Sequence, residues 1–299
     1  MLPRKRARTM FPKRLRCLWV AALCLLAGAE ATHAQQRYSV EETLAEATWE
    51  TERLAPGVTW KRAQIEGLFG LPQSLNVLVM DLAAEGVEID VAFSDSGRVK
   101  TSALARRVGA VAAVNGSFFD TEDGTSVVFS QSDGRLRATL PEDGPAFLNR
   151  AAVAAERDGD AQVIRKKKLG ERRMPRFEDV LAGGPLLLWD GRVADLQATS
   201  FNVTHHPRTA MGVAASGRRL VLATVDGRTR QAAGMTAREL AWTMRGLGCA
   251  TAVNLDGGGS TTMWAQGRGV VSYPADNEAY DHDGERGVAN AVVVFAGEK

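Results

Sequence analysis

The sequence predicts an α+β fold: a single strand-rich domain with a mixed or antiparallel sheet and a few helices, running from Val58 to residue 297. Three observations predict it. Between Val58 and Phe295 apolar residues alternate or run solid over short stretches rich in β-branched types, as strands buried on one or both faces do. Turn dipeptides (Asp133-Gly134, Asp190-Gly191, Ser216-Gly217, Asp226-Gly227) punctuate these stretches. Helical periodicity is confined to a few segments, and no repeat or Pro/Gly/Ser linker marks a second domain.

The first 34 residues read as a signal peptide. Seven basic residues precede the apolar run Cys17–Ala29, which is short for a membrane span, and Thr32 and Ala34 supply small residues for cleavage after Ala34. No long apolar run follows, so the mature chain is expected to be exported, periplasmic or secreted, without a membrane span. The 299-residue chain is otherwise ordinary in composition, 45% hydrophobic and 24% charged with 30 glycines. The leader holds seven bases and one acid, so its removal leaves 30 basic against 34 acidic residues, a net charge of about −4. That balance lacks the basic footprint of a nucleic-acid binder. Cys17 and Cys24 leave with the leader, so Cys249 stands alone among apolar residues and reads as a buried thiol.

The remaining elements follow in order. Ser39–Ala55 opens with a capping-box pattern and stops at Pro56-Gly57, so residues 35–57 are expected to form a helical extension. Strands are expected around residues 57–65, 75–83 and 87–94, then a helix over Val99–Ala110 capped by Thr101 or Ser102. A buried strand ends at Asn115-Gly116, and hairpins turn at Asp133-Gly134 and near Gly159. Arg165–Asp179 is a basic excursion, read as a solvated loop or as an arm over an anionic substrate. Strands flank Gly183-Gly184-Pro185, and a hairpin spans residues 208–227. Met235–Cys249 is the clearest helix, with Thr236 as cap, Glu239 three residues on, and Leu240, Met244 and Leu247 on one face. It delivers a strand into Asp256-Gly257-Gly258-Gly259-Ser260, and residues 287–296 form the last strand.

Four strand ends close on polar or glycine-rich residues: Asn115 to Asp120, Gly183-Gly184-Pro185, Asp226-Gly227-Arg228, and Asn254 to Ser260. Loops at the ends of rigid strands are the usual place for a site. Consecutive glycines lack Cβ atoms, so the amides of Gly257, Gly258 and Gly259 can converge on an anion, although a simple turn would also use them. No lysine stands at P-loop spacing. Arg208, fixed behind Pro207 at the start of a strand, suits phosphate or carboxylate, and Thr209 follows it. His205 and His206 on an extended segment face opposite ways, so at most one points at a site, and no zinc motif appears. The carboxylates available are Asp120, Asp226, Glu239 and Asp256; Asp226 also reads as a turn residue and Glu239 as part of a cap. Ser260 lacks the surroundings of a nucleophile elbow.

Together these stretches resemble the phosphodiester glycosidase family. The resemblance rests on "VAAVNGSFFD", "LAGGPLLL", "PRTAMG", "VDGR", "ARELAWTMRGLGCATAVNLDGGGSTTMW" and "RGVANAVVVF", in order over about Val58 to Phe295. It implies an α+β fold, a site built from Asn115, Arg208, Asp256 and the Gly257–Gly259 loop, and hydrolysis between a sugar anomeric carbon and a phosphodiester oxygen. On that reading Arg208 and the glycine amides hold the phosphate, and Asp256 or Glu239 supports an oxocarbenium-like centre or activates water. Asn115 and Asp120 bind sugar hydroxyls beside Phe118 or Phe119, with Thr209, Asp226 and Ser260 as further substrate contacts. Arg208→Ala is expected to abolish turnover with folding intact. No cofactor is implied. Two alternatives belong to other classes: a non-catalytic periplasmic protein that binds anionic polysaccharide, and a metal-dependent phosphodiesterase holding a divalent cation with Asp120, Asp226, Asp256 and one histidine.

Overall fold

The computed structural model describes residues 40–95, 97–140, 151–156, 161–165 and 174–297. The expected leader, the tip of the hairpin near Gly159 and most of the basic excursion lie outside them. Every strand pairing described is antiparallel. An eight-stranded sheet has the spatial order Glu50–Ala55, Val58–Leu68, Leu71–Asp81, Arg219–Val225, Arg208–Val213, Thr251–Asn254, Leu186–Trp189 and Arg192–Val193. One five-stranded sheet centres on Ala112–Asn115 between Met263–Ala265 and Asn290–Phe295, with Gly269–Val270 and Glu88–Phe93 at its edges. A second five-stranded sheet centres on Asp179–Gly183. A two-stranded ribbon joins Gly287–Val288 to Val99–Lys100.

The main core lies between the sheets. Leu78, Met80, Met211, Leu222 and Val253 of the large sheet meet Val114, Val292, Val294, Val153 and Val180 of the other two. Each buried side chain of this size contributes about 1.5–3 kcal/mol of transfer free energy. The outer face of the large sheet is covered by helix Ala237–Gly246 through Leu240, Ala241 and Met244, joined by Val40 and Leu44 from residues 40–46. Cys249 is buried in this layer, which pushes its thiol up to about 12. Helix Thr101–Val108 covers the first five-stranded sheet with Leu104 and Ala105 against Ala113, Trp264 and Val293.

The Ala237–Gly246 helix carries the expected capping box. The Glu239 amide donates to Thr236 Oγ1 (3.2 Å), and the Thr236 amide donates to Glu239 Oε2 (2.8 Å). Elsewhere the expectations are corrected. Residues 40–46 are helical, but Glu50–Ala55, expected to continue that helix, is an edge strand paired with Val58–Leu68. Its alternating charges suit a half-exposed edge as well as a helix face, and the ion pair Arg62–Glu50 (2.7 Å) joins the two strands. Helix Thr101–Val108 is not capped by its own Thr101 or Ser102. Lys100 occupies the cap position without a side-chain bond, and Glu285, distant in sequence, accepts from both the Ser102 amide and hydroxyl, each at 2.7 Å. Short elements not expected from the sequence are the helix Ser200–Val203 and the strands Met263–Ala265 and Gly269–Val270.

Asp179, at the head of the central strand of the second five-stranded sheet, is buried beside Asp90. Burial first, then the Asp90 charge, pushes its carboxyl up to about 8. A carboxyl raised in the folded state stabilises fully below the ordinary range near 4, and that contribution is lost as pH rises towards the folded value. Asp179→Asn is therefore expected to raise the melting temperature by a few degrees at pH 8.5 and to change it little at pH 4.5, as read by thermal unfolding across pH.

Candidate active site

The register brings four polar strand ends to one edge. Arg208 pairs with Val225, immediately before Asp226, and Ala210 pairs with Asn254. The Gly184 amide donates to Asn254 O (2.8 Å), and Asn254 Nδ2 returns a bond to Gly184 O (2.9 Å). Asn115 of the neighbouring sheet closes the cluster. Its Oδ1 accepts from Thr209 Oγ1 (2.6 Å) and from the Thr262 amide (3.1 Å), while its Nδ2 donates to Asp256 O (2.8 Å). Asn115 and Thr209 are fully buried, so they fix the Asp256 loop across two sheets instead of facing solvent. The Asp256 amide donates to Gly116 O (3.1 Å), so the backbone of Asp256 is held on both sides.

The three glycines are explained by close approach. At Gly257 a Cβ would meet Pro207 O at 2.7 Å, and at Gly259 it would meet Arg286 Nη2 and Asp276 Oδ1, each at 2.5 Å. Gly258 has φ +61°, a left-handed backbone that favours glycine. Their amides do not all point at an open space. Gly257 N donates to Asp256 Oδ1 (2.8 Å) and Gly258 N to Pro207 O (2.9 Å), which leaves Gly259 N without a hydrogen-bond partner among the described residues. The half-buried carboxyl of Asp256 is raised above its ordinary value, chiefly by burial, against the opposing effects of the Ser260 hydroxyl, the Gly257 amide and the Arg286 charge.

Among the described residues Arg208 is the largest fully buried side chain. Its Nε donates to Met235 O (2.9 Å), its Nη2 donates to Phe201 O (2.6 Å) and Thr204 O (3.1 Å), and the guanidinium lies 4.6 Å from the Phe201 ring centre. Nη1 has no partner, and no carboxylate lies within ion-pair distance among the described residues. Burial lowers its pKa to about 10, with the Glu239 charge acting the other way. The group remains a cation at neutral pH, desolvated and with one donor unspent. Alanine here would remove three hydrogen bonds from a buried cation, each worth about 1.5–3 kcal/mol; Met235 O keeps the His206 amide (3.2 Å), so some loss of stability is expected alongside the loss of turnover.

The adjacent histidines have separate surroundings. His205 Nε2 lies 3.0 Å from Glu239 Oε2, so the Glu239 carboxylate is shared between the helix cap and His205. His206 is lowered by burial and by the charges of Arg208, Arg228 and His205, which favours the neutral ring. Asp226 is turned away. It is buried, accepts from Ser74 Oγ (2.6 Å) and the Tyr273 amide (2.8 Å), and burial pushes it up to about 7. Asp120 sits on an exposed turn and accepts from the Glu122 amide (2.7 Å). Ser260 is buried behind the glycines. Phe119 packs in the core, whereas Phe118 is half-buried and meets the Phe201 ring edge-on at 5.9 Å. No group of three or more His, Cys, Asp or Glu is gathered as a metal site among the described residues.

Sequence assigned no role to three residues of this cluster. Phe201, on the short Ser200–Val203 helix, lies under Arg208. Arg228 has φ +65°, is exposed, and its Nη2 comes within 3.0 Å of the Cβ position of Gly258. It has no hydrogen-bond or ion-pair partner among the described residues. A left-handed arginine stores strain of order 1–3 kcal/mol, a cost concentrated at functional sites. Arg286 is fastened to Asp276 over Gly259. The signals were an Arg directly after Asp226-Gly227 and another in the closing Arg286-Gly287 stretch, and neither declares its target locally.

Among the described residues no helix is long and apolar enough to cross a membrane. Residues 108–295 match the family model described as phosphodiester glycosidase. The N-acetylglucosamine-1-phosphodiester alpha-N-acetylglucosaminidase of Bos taurus is 30% identical over 196 residues, which cover 60% of this chain and 36% of that protein. The SPbeta prophage-derived uncharacterized protein YomE of Bacillus subtilis is 28% identical over 181 residues, 59% of this chain and 27% of that one. This chain thus spans well under half the length of the curated relatives it matches. The catalytic domain of the zebrafish N-acetylglucosamine-1-phosphodiester alpha-N-acetylglucosaminidase, auto-inhibited by its pro-peptide, superposes with a TM-score of 0.63 at 22% identity, covering 84% of this chain and 89% of that domain. The matched region runs through Asn115, Arg208 and the Asp256 loop, with the antiparallel sheets that bring them together, and the chain belongs to the phosphodiester glycosidase family.

Proposed function

We propose that the protein is an exported hydrolase that cleaves a sugar-1-phosphodiester at the anomeric carbon, acting on glycans of the cell envelope or an exopolysaccharide. The observation that carries this reading is the Arg208 guanidinium, fully buried, without an ion pair among the described residues, and with Nη1 unspent. Desolvated cations are costly unless an anion completes them, so such a group beside a strained, unpaired Arg228 suits a phosphodiester. The family relationship supports the glycosidase class, the bovine relative's name supports an N-acetylglucosamine-1-phosphodiester as substrate, and residues 1–34 support export.

In this mechanism Arg208 and Arg228 take the non-bridging phosphate oxygens, and their charge stabilises the second negative charge that develops as the phosphomonoester departs. That leaving group needs little help from a general acid. The ionised Asp256 carboxylate stabilises the oxocarbenium-like centre or orients water. The C1–O bond to phosphorus breaks, a bond from water oxygen to C1 forms, and the water proton passes to Asp256 or solvent. Neutral His206 is a second proton acceptor within the same cluster. Phe118 supplies an apolar floor for the sugar. Glu239 orients His205, and Asn115 and Thr209 hold the Asp256 loop. A panel of sugar-1-phosphodiesters incubated with the protein tests this: free reducing sugar and phosphomonoester in equal amounts are expected. Saturable binding of the diester without product would instead favour a binding protein.

A further inference from the structure

An arginine side chain carries five N–H donors in one plane. Arg208 uses its Nε toward Met235 O and its Nη2 toward Phe201 O and Thr204 O. The donors left over are those of Nη1, which has no partner. Bonds made in the guanidinium plane fix its rotation within that plane, and its tilt is left to whatever packs on its faces. The Phe201 ring packs there, with its centre 4.6 Å from the guanidinium carbon. Phe201 therefore touches Arg208 twice, with its carbonyl at the edge and its ring on the face.

Local structure holds that ring in place. The Asn202 and Val203 amides donate to Thr199 O, each at 3.0 Å, and close the single turn Ser200–Val203. The buried Asn202 side chain donates through Nδ2 to Gln197 O (2.8 Å), which ties the turn to the segment before it. On its outer side the Phe201 ring meets Phe118 edge-on, at 5.9 Å and 66°, a favoured geometry for two aromatic rings. Buried cations are usually completed by a carboxylate. A carboxylate on Arg208 would take up Nη1 and compete with an incoming phosphate for the same charge. An aromatic face attracts the cation through its electron-rich centre and uses none of its donors.

We propose that Phe201 is a positioning residue for the phosphate site: its ring takes the place of a carboxylate partner, sets the tilt of the Arg208 guanidinium and leaves Nη1 to the phosphate. The inference rests on the proposed reading of Arg208, and the experiment separates the two. Inorganic phosphate is titrated by calorimetry against the full chain as wild type, Phe201→Leu and Phe201→Tyr. Leucine keeps the carbonyl and an apolar side chain but loses the aromatic face, whereas tyrosine keeps the face. Phe201→Leu is expected to bind phosphate about ten-fold more weakly, and Phe201→Tyr to recover most of that loss. A double-mutant cycle in kcat/KM on a GlcNAc-1-phosphodiester tests whether Phe201 acts through Arg208. Phe201→Leu should cost about ten-fold in the wild type and less than about two-fold on top of Arg208→Lys, because lysine offers no plane for the ring to hold. Undiminished phosphate affinity in Phe201→Leu, equal weakening in Phe201→Tyr, or the same loss in both backgrounds overturns the role of Phe201. Failure of the wild type to bind phosphate overturns the reading of Arg208 along with it.

Discussion

Asp256→Asn is expected to lower kcat/KM by roughly 10³-fold or more, within the range that positioned acid–base or charged groups contribute, while leaving the melting temperature at pH 7 equal or higher. The two halves share one cause. Burial raises the Asp256 carboxyl, so holding it ionised costs folding free energy above the ordinary carboxylate range. Asparagine keeps an oxygen for the Gly257 amide, which now bonds Asp256 Oδ1 at 2.8 Å, and removes the charge. In the wild type, activity that needs the carboxylate should fall as pH drops through the raised value, so the acid limb of kcat/KM lies above the ordinary carboxylate range. The variant should lack that limb in its residual rate. A pH–rate profile with parallel thermal unfolding checks both, and a variant that stays active would move the chemistry to another group.

Arg208→Lys is the second large effect expected, a loss of about 10²–10³ in kcat/KM, the size of removing one preorganised donor at developing charge. Lysine keeps a cation but not the planar fork that spans Met235 O, Phe201 O and Thr204 O while leaving Nη1 unspent. Some stability is lost as well, so activity alone is not a sufficient readout. Inorganic phosphate should raise the melting temperature of the wild type through ligand linkage, and that rise should shrink in Arg208→Lys. Near-wild-type turnover, or an undiminished phosphate shift, would remove Arg208 from the site.

How much of this was legible depended on the range of the interactions. The Thr236–Glu239 capping box, the Asp133-Gly134 turn and the Asn115 strand end are set by neighbours within a few residues, and the structure has them as expected. The second half of the Ser39–Ala55 segment was not legible, because pairing with Val58–Leu68 decides between helix and edge strand. The cap of helix Thr101–Val108 comes from Glu285, and no local pattern could name it. Polar residues at strand ends drew attention to Asn115, Thr209 and Asp226, but residue type does not say which way each one faces. Asn115 and Thr209 bond each other, and Asp226 bonds Ser74 and Tyr273. The glycine run suggested a cradle of amides, whereas two of those amides are spent on Asp256 and Pro207. Arg228 depends on a left-handed backbone that only the tertiary setting enforces.

The most direct test of anomeric-carbon cleavage is the fate of water oxygen during turnover of a GlcNAc-1-phosphodiester in isotopically labelled water. Attack at C1 predicts label in the released sugar and none in the phosphomonoester, read by mass spectrometry before C1 exchanges its oxygen with solvent. Label in the phosphomonoester would mean attack at phosphorus, and would contradict the proposed roles of Arg208 and Arg228 in holding the departing phosphate and of Asp256 at the sugar.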